Sequence, residues 1–235
     1  MTFCFKPSFC SSFIAENGKL TMKYLSSFFF SNRVRICSDN DENYKIITKV
    51  EKQFSEQFMI FDDFVSENEE QLLYEEARPI LETKHYQKEH WDDAIHGYRE
   101  SEKQNWTEDS MMVFKRMKEV AFDSDQVLLP YVHILDLDSK GFIKPHIDSV
   151  KFCGSTIAGL SLLSPSIMRF CHEDAKHINV DALLPRRSLY ICRKLIRYEY
   201  THEILPPEQS IWDGSLIERS RRISLILRCE PQTTI

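Results

Sequence analysis

Two histidines and an aspartate stand at spacings that suit a metal ion. His146-Ile147-Asp148 lies in the strand-like run 143–150. Residues two apart on a strand face the same way, so the imidazole and the carboxylate can converge on one ion. His202 lies in a second strand-like run, 198–205. Two imidazoles and one carboxylate on one face of an octahedron, with three positions open, form the ligand set of non-haem Fe(II) oxygenases. Zinc favours a closed tetrahedral site, and nothing in these runs supplies a fourth ligand.

H-x-D alone is a weak signal, because a His–Asp pair is commonly a structural hydrogen bond, and His172-Glu173-Asp174 fits the same pattern. Spacing separates the two. In a double-stranded β-helix four strands intervene before the distal histidine comes beside the H-x-D strand. That takes about 40 to 55 residues at roughly five or six per strand plus short turns. The interval from Asp148 to His202 fits, whereas Asp174 to His202 leaves room for about two strands, so His146 is the expected ligand and His172 is not.

A third element follows in Arg221-Arg222-Ile223-Ser224-Leu225-Ile226-Leu227-Arg228. Arg222, Ser224 and Arg228 share one face of this apolar strand, with Ile223, Leu225 and Leu227 on the other. A buried arginine is costly unless an anion meets it. A small dicarboxylate suits: Arg222 gripping its distal carboxylate through two N–H groups, Ser224 adding a hydrogen bond. An internal salt bridge to an Asp or Glu is the alternative.

The elements around these residues read as helices first and short strands afterwards. Phe58 to Phe61 has strand character, and Ser66-Glu67-Asn68-Glu69 has the spacing of a capping box. Behind it Leu72, Leu73, Ala77, Ile80 and Leu81 recur at helical spacing, with Pro79 predicting a kink or stop near Ala77. A second helix is expected over 109–122. From Val127 onward come strand-like runs at 127–137, 143–150, 156–163, 167–171, 188–193, 198–205 and 222–229, most separated by turn residues such as Asp138-Ser139-Lys140-Gly141. The expected class is α+β, with a sandwich or barrel in the second half.

Charge divides the chain. Residues 1–38 hold five basic residues against the single acid Glu16, and are rich in Ser and Phe; the remainder holds 25 basic and 35 acidic residues. An acid-poor, Ser-rich, basic arm reads as a mitochondrial transit peptide, with a second start possible at Met22. A disordered terminus, or a secretory signal built on Phe28 to Phe30, are the alternatives. The expected organisation is an arm over 1–38 and one domain over 39–235. Seven cysteines without a C-x-x-C pair argue against a disulfide framework or a zinc site, and for a reducing compartment. Cys153, Cys171, Cys192 and Cys229 read as small buried thiols. No apolar stretch is long enough for a membrane span. The acidic balance weighs against duplex DNA binding, although Pro185-Arg186-Arg187 and Arg219 to Arg222 are local basic patches.

The run Gly141 to Asp148, with Thr156 to Leu163, Ser188-Leu189-Tyr190, His202-Glu203-Ile204 and the Arg222/Arg228 pair after it, resembles the AlkB homologue family, and its mitochondrial branch in particular. The likeness extends back through 58–98 and covers nearly everything beyond residue 55. It implies a jelly-roll core supported by N-terminal helices, and Fe(II) on His146, Asp148 and His202. It implies 2-oxoglutarate as cosubstrate on Arg222 and Arg228 with a hydrogen bond from Tyr190, O2 as the other substrate, and residence in the mitochondrial matrix. The expected reaction hydroxylates or demethylates a protein or RNA, and the resemblance links it to regulated necrosis and fatty-acid metabolism. A monomer is expected. Two departures stand out. Leucines of Ile134-Leu135-Asp136-Leu137 replace the Asn and Tyr that family members often carry, and 85–106 lacks the basic, aromatic lid of nucleic-acid-acting relatives. A regulatory interaction protein with slow or self-directed oxidation is therefore the competing reading. Three histidines in that segment, His85, His90 and His96, read as surface residues rather than a second metal site.

Overall fold

A computed structural model describes residues 8–16, 19–38, 44–90 and 93–231. In chain order the elements are β1 (Ser8–Glu16), β2 (Lys19–Ser31), β3 (Val34–Ser38), α1 (Tyr44–Gln57), β4 (Phe58–Phe61), α2 (Glu67–Glu82), β5 (Gln87–Glu89), β6 (Ile95–Lys103), α3 (Glu108–Ala121) and β7 (Val132–His146). Then follow β8 (Thr156–Leu162), β9 (Ser166–His172), β10 (Ile178–Leu184), β11 (Ser188–Arg193), α4 (Lys194–Glu199), β12 (Tyr200–Ile204), β13 (Ile211–Trp212), β14 (Ser215–Leu216) and β15 (Arg222–Arg228).

The strands make an α+β jelly roll. Along one continuous, mostly curled sheet the order is β1-β2-β3-β10-β9-β12-β7-β15-β8-β11-β4, with β6 and β5 added beside β7. The long strand β7 is the corner. Its first part pairs with β15, Ile134 opposite Leu225, and its end pairs with β12, His146 opposite His202. Between these parts 138–141 bulge out opposite Gly97, so the expected turn is an interruption within one strand rather than a break between two. Gly141 is required there: a Cβ would stand 2.6 Å from the Gly97 carbonyl oxygen.

Two apolar layers follow. Outside the β7-β15-β8-β11 sheet, Leu73, Ala77 and Leu81 of α2 and Val113, Phe114 and Met117 of α3 pack on Ile134, Leu160, Ile223 and Leu225. Between the two halves of the roll lie Leu135, Leu137, Met168, Phe170, Val180 and Tyr190, closed at one end by Val50 and Phe54 of α1. Cys153, Cys192 and Cys229 are buried free thiols, Cys37 is buried too, and Cys171 is only half-buried.

Ser66 caps α2 as its spacing predicts: its hydroxyl accepts from the Glu69 amide at 3.2 Å, and the Glu69 carboxylate accepts from the Ser66 amide at 2.8 Å. The helix does not stop near Ala77 but runs through Pro79 to Glu82. Full burial of Leu81, worth about 1.5–3 kcal/mol, offsets much of the roughly 3 kcal/mol that an interior proline costs. The strand expected from Val127 begins only at Val132, and the run 198–205 opens as helix α4 before becoming β12.

The sheet also crosses the boundary that composition suggests at residue 38. Strand β3 is buried throughout and pairs with β10. Arg35 has partners within the sheet: its Nη2 donates to the Asp181 carboxylate at 3.0 Å and to the Ile211 carbonyl at 2.8 Å. The folded domain therefore includes Val34–Ser38. The transit-peptide reading of the arm falls largely on residues whose side chains lie outside the described set.

Candidate active site

His146 ends β7 and His202 sits opposite it on β12, so the ladder itself brings the two imidazoles together, ring centroids 4.3 Å apart. Asp148 follows just past the strand end. Its Oδ1 is 3.3 Å from His146 Nε2 and 3.7 Å from His202 Nε2. One donor atom from each residue lies within 4.8 Å of the others. His146 Nδ1 is 2.9 Å from the Lys144 carbonyl. A carbonyl only accepts, so Nδ1 carries a proton, and this hydrogen bond turns Nε2 toward the other two residues. Burial alone would raise the Asp148 carboxyl, but the His146 hydrogen bond and the charges of Arg228 and His202 hold it well below the usual carboxylate range. His202 is pushed down to about 3, first by burial and then by His146. At neutral pH Asp148 is thus an anion beside a neutral His202, and two imidazoles with one carboxylate suit a divalent ion.

The four strands that the spacing argument requires between Asp148 and His202 are β8, β9, β10 and β11. The decoy stands apart. His172 caps a short 3-10 turn and faces Glu199 at 3.4 Å, while Asp174 is 94 % exposed. The lid histidines do not gather either. His85 is exposed, His96 stacks on Phe142 at 4.6 Å, and His90 faces Glu100. Glu89, Asp93 and His96 do approach one another at the surface, but Asp93 already pairs with Lys144 at 2.6 Å.

From the trio a cavity of about 100 Å³ runs between the halves of the roll, lined by Arg222, Ser224, Ile226 and Arg228 from one face of β15, with Tyr190 and Leu135 nearby. Ile223, Leu225 and Leu227 fill the layer on the opposite face. Arg222 is 1 % exposed; its Nε donates to the Ser161 hydroxyl at 3.1 Å and its Nη2 has no hydrogen-bond partner. Burial lowers its pKa, opposed by the Tyr190 hydroxyl, and no described Asp or Glu forms an ion pair with it. Tyr190 and Ser224 meet at 3.5 Å. Arg228 reaches the trio, its Nη2 3.3 Å from Asp148 Oδ2.

Sequence reasoning missed three residues here. His133 accepts from Arg228 through Nδ1 at 3.0 Å, which leaves Nε2 protonated toward Glu100 at 3.1 Å. Gly159 lies beneath the Tyr190 ring, where a Cβ would come within 2.4 Å of it; a glycine inside a strand was the available signal. Arg197, on α4, also lines the cavity. Of the two leucines, Leu135 lines it and Leu137 is packed in the core. The basic patches are internally occupied. Arg186 pairs with Glu70, Arg187 with Asp63 and Glu67, Arg221 with Asp136, and Arg219 donates to the Leu205 and Gly141 carbonyls.

No family model matches the chain. Over 174 residues it is 48 % identical to a Mus musculus protein named alpha-ketoglutarate-dependent dioxygenase alkB homolog 7, mitochondrial, covering 74 % of this chain and 79 % of that one. A Bos taurus protein of the same name is 50 % identical over 169 residues, 72 % and 76 % of the two chains. Among solved structures a Pseudomonas putida prolyl-4-hydroxylase superposes with a TM-score of 0.52 at 13 % identity, covering 77 % of this chain and 96 % of its own, which shows a shared fold.

Proposed function

The chain belongs to the family of mitochondrial alkB homolog 7 alpha-ketoglutarate-dependent dioxygenases, and from that membership we propose that its cavity holds Fe(II) on His146, Asp148 and His202 and 2-oxoglutarate on Arg222. The observation that carries this is Arg222: fully buried, short of a partner at Nη2, without a carboxylate of its own, in the same cavity as a His-Asp-His cluster. When bound, the iron and cosubstrate supply the oxidation: 2-oxoglutarate and O2 yield succinate, CO2 and one oxygen inserted into a C–H bond. Arg222 holds the distal carboxylate, with Tyr190 and Ser224 as hydrogen-bonding groups beside it. Arg228, steadied by His133 and Glu100, orients the Asp148 carboxylate and serves the cosubstrate. The apolar walls Leu135, Ile143, Met168 and Phe170 keep water from the reacting carbon.

The dioxygenase is mitochondrial, as its relatives are named, and we place it in the matrix, with the basic residues ahead of Val34 as its targeting arm. Its substrate is a protein or an RNA rather than duplex DNA, since the arginine patches are spent on the protein's own carboxylates and carbonyls. Links to regulated necrosis and fatty-acid metabolism remain part of this proposal. Leu135 on the cavity wall favours a second reading, self-directed oxidation when no substrate is present.

The test is iron retention and succinate production by single alanine variants. His146→Ala, Asp148→Ala and His202→Ala should lose both, and His172→Ala neither. Equal loss from all four, with the fold intact, rejects this choice of ligands. Mass spectrometry of the incubated wild type should find any added oxygen on Leu135 and none on Leu137.

A further inference from the structure

Arg197 is the third guanidinium in the cavity wall, and the roles given to Arg222 and Arg228 do not use it. It lies on α4, the helical turn leading into the His202 strand, and is 3 % exposed. Its Nη2 donates to the Cys153 carbonyl at 3.2 Å and the Ser149 carbonyl at 3.4 Å, and lies 2.8 Å from Cys153 Sγ. Nε and Nη1 have no hydrogen-bond partner, and no described Asp or Glu forms an ion pair with it. Leaving buried N–H groups of a permanent cation unsatisfied is expensive, so such a residue is kept where something fills the gap.

The charges around the cavity say what fills it. Three guanidinium groups face one carboxylate, Asp148. Arg228 is matched by Asp148, and Arg222 by the cosubstrate's distal carboxylate. Arg197 alone of the three has neither a described carboxylate partner nor a role in that reading. Ile157, Cys192 and Ile196 line the same cavity and bring no carboxylate to it. The Tyr198 ring, 5.0 Å from its guanidinium carbon, holds the side chain in place. The segment whose carbonyls Arg197 grips also carries Val150 and Phe152, 56 % and 73 % exposed, an apolar flank beside the charge.

We propose that Arg197 is a substrate-recognition residue that receives a single carboxylate carried by the molecule to be oxidised, close to the reacting carbon. The inference rests on the dioxygenase reading above and names the substrate class for that same site. One carboxylate balances the one unmatched guanidinium, and a narrow cavity favours it over a bulkier phosphate. The carboxylate belongs either to a free acid or to an acidic side chain of a polypeptide.

The experiment uses the full chain loaded with Mn(II) and 2-oxoglutarate under nitrogen, where no turnover occurs. Calorimetry measures propionate, propionamide, inorganic phosphate and the capped tripeptide acetyl-Gly-Glu-Gly-amide. Wild type should bind propionate or the tripeptide saturably and propionamide not at all; whichever is tighter identifies the source. Arg197→Gln should lose about tenfold or more of that affinity while 2-oxoglutarate binds within about twofold of wild type. Arg197→Lys, which keeps the charge, should retain most carboxylate binding, and it decides the matter if the glutamine variant does not fold. Unchanged propionate and tripeptide binding in Arg197→Gln, tighter binding of phosphate, or parallel loss of 2-oxoglutarate would each overturn the proposal. Failure of wild type to bind 2-oxoglutarate at all would instead reject the reading on which it rests.

Discussion

Arg222 is the bulkiest side chain in the fully buried set, and a molecule does not bury its most polar group without a reason. Removing one partner of a buried, hydrogen-bonded charge contact costs about 2–5 kcal/mol, well over tenfold in affinity. Arg222→Ala should therefore bind 2-oxoglutarate far more weakly by calorimetry while still retaining iron on His146, Asp148 and His202; unchanged affinity would make β15 a packing strand only. The placement of this residue is legible in the sequence because strand periodicity is local: Arg222, Ser224 and Arg228 must share a face once the run is read as a strand. His133 and Arg197 were not legible. Each acquires its meaning from groups distant in the chain, Arg228 for His133 and the Ser149–Cys153 segment for Arg197, and neither sits in a pattern that a single strand or helix imposes. Leu135 and Leu137 show the same limit from the other side: both were suspects on sequence, and only the corner in β7 decides that Leu135 alone meets the cavity.

At the scale of elements, the interval between Asp148 and His202 carried more information than either motif, since it counted four strands before any was seen. The count includes β10, which the sequence does not announce as a strand. Its sequence Ile178 to Leu184 carries Asp181 at the centre, which breaks the apolar run. In the fold that aspartate is fully buried between Arg35 of β3 and Arg169 of β9, at 3.0 Å and 2.7 Å. The same pairing explains why composition misplaced β3: Arg35 counts as an arm charge until its partner is brought from 146 residues away. The helix that continues past Pro79 and the helical turn α4 have the related cause that burial by distant neighbours overrides local preference. Burial raises the Asp181 carboxyl, but Arg169 and Arg35 outweigh it and leave its pKa below the ordinary value. A carboxyl depressed in the folded state stabilises above the unfolded pKa near 4, and loses that contribution as pH falls through the folded value. Asp181→Asn should lower stability near neutral pH by about 3–5 kcal/mol, the cost of unpairing a buried ion cluster. Denaturant titrations from pH 7 to pH 3 should show the gap between wild type and variant closing below about pH 4. A constant gap would mean the aspartate contributes packing and not charge.

At the scale of the whole molecule, the acidic balance and the bookkeeping of arginines point the same way. From residue 39 onward acids outnumber bases by 35 to 25, and the basic clusters that the sequence leaves open as nucleic-acid patches are engaged by the protein's own carboxylates and carbonyls, with Arg186 itself half exposed. Arg186 and Arg187 hold Glu70, Asp63 and Glu67 and tie the β10–β11 turn to the start of α2. Arg221 clamps the fully buried Asp136 together with Arg99. To grip a duplex, these side chains would have to exchange short ion pairs within the protein for phosphates that the surrounding acids repel. Duplex binding draws its free energy mainly from counterion release, and log K falls with log salt by about 0.9 per phosphate neutralised. Stable association with methylated duplex DNA should therefore be absent at physiological salt, and residual binding at low salt should show a shallow slope of about one or two contacts. Fluorescence anisotropy across a salt series measures this directly, with a repair assay on the same duplex beside it. The variant Asp63→Asn/Glu67→Gln frees Arg187 without touching the cavity, and should raise the low-salt binding slightly while leaving succinate production unchanged. A steep salt slope in wild type, or efficient repair of the duplex, would show that a basic surface outside these patches reads nucleic acid, and the substrate class proposed for the cavity would have to be abandoned.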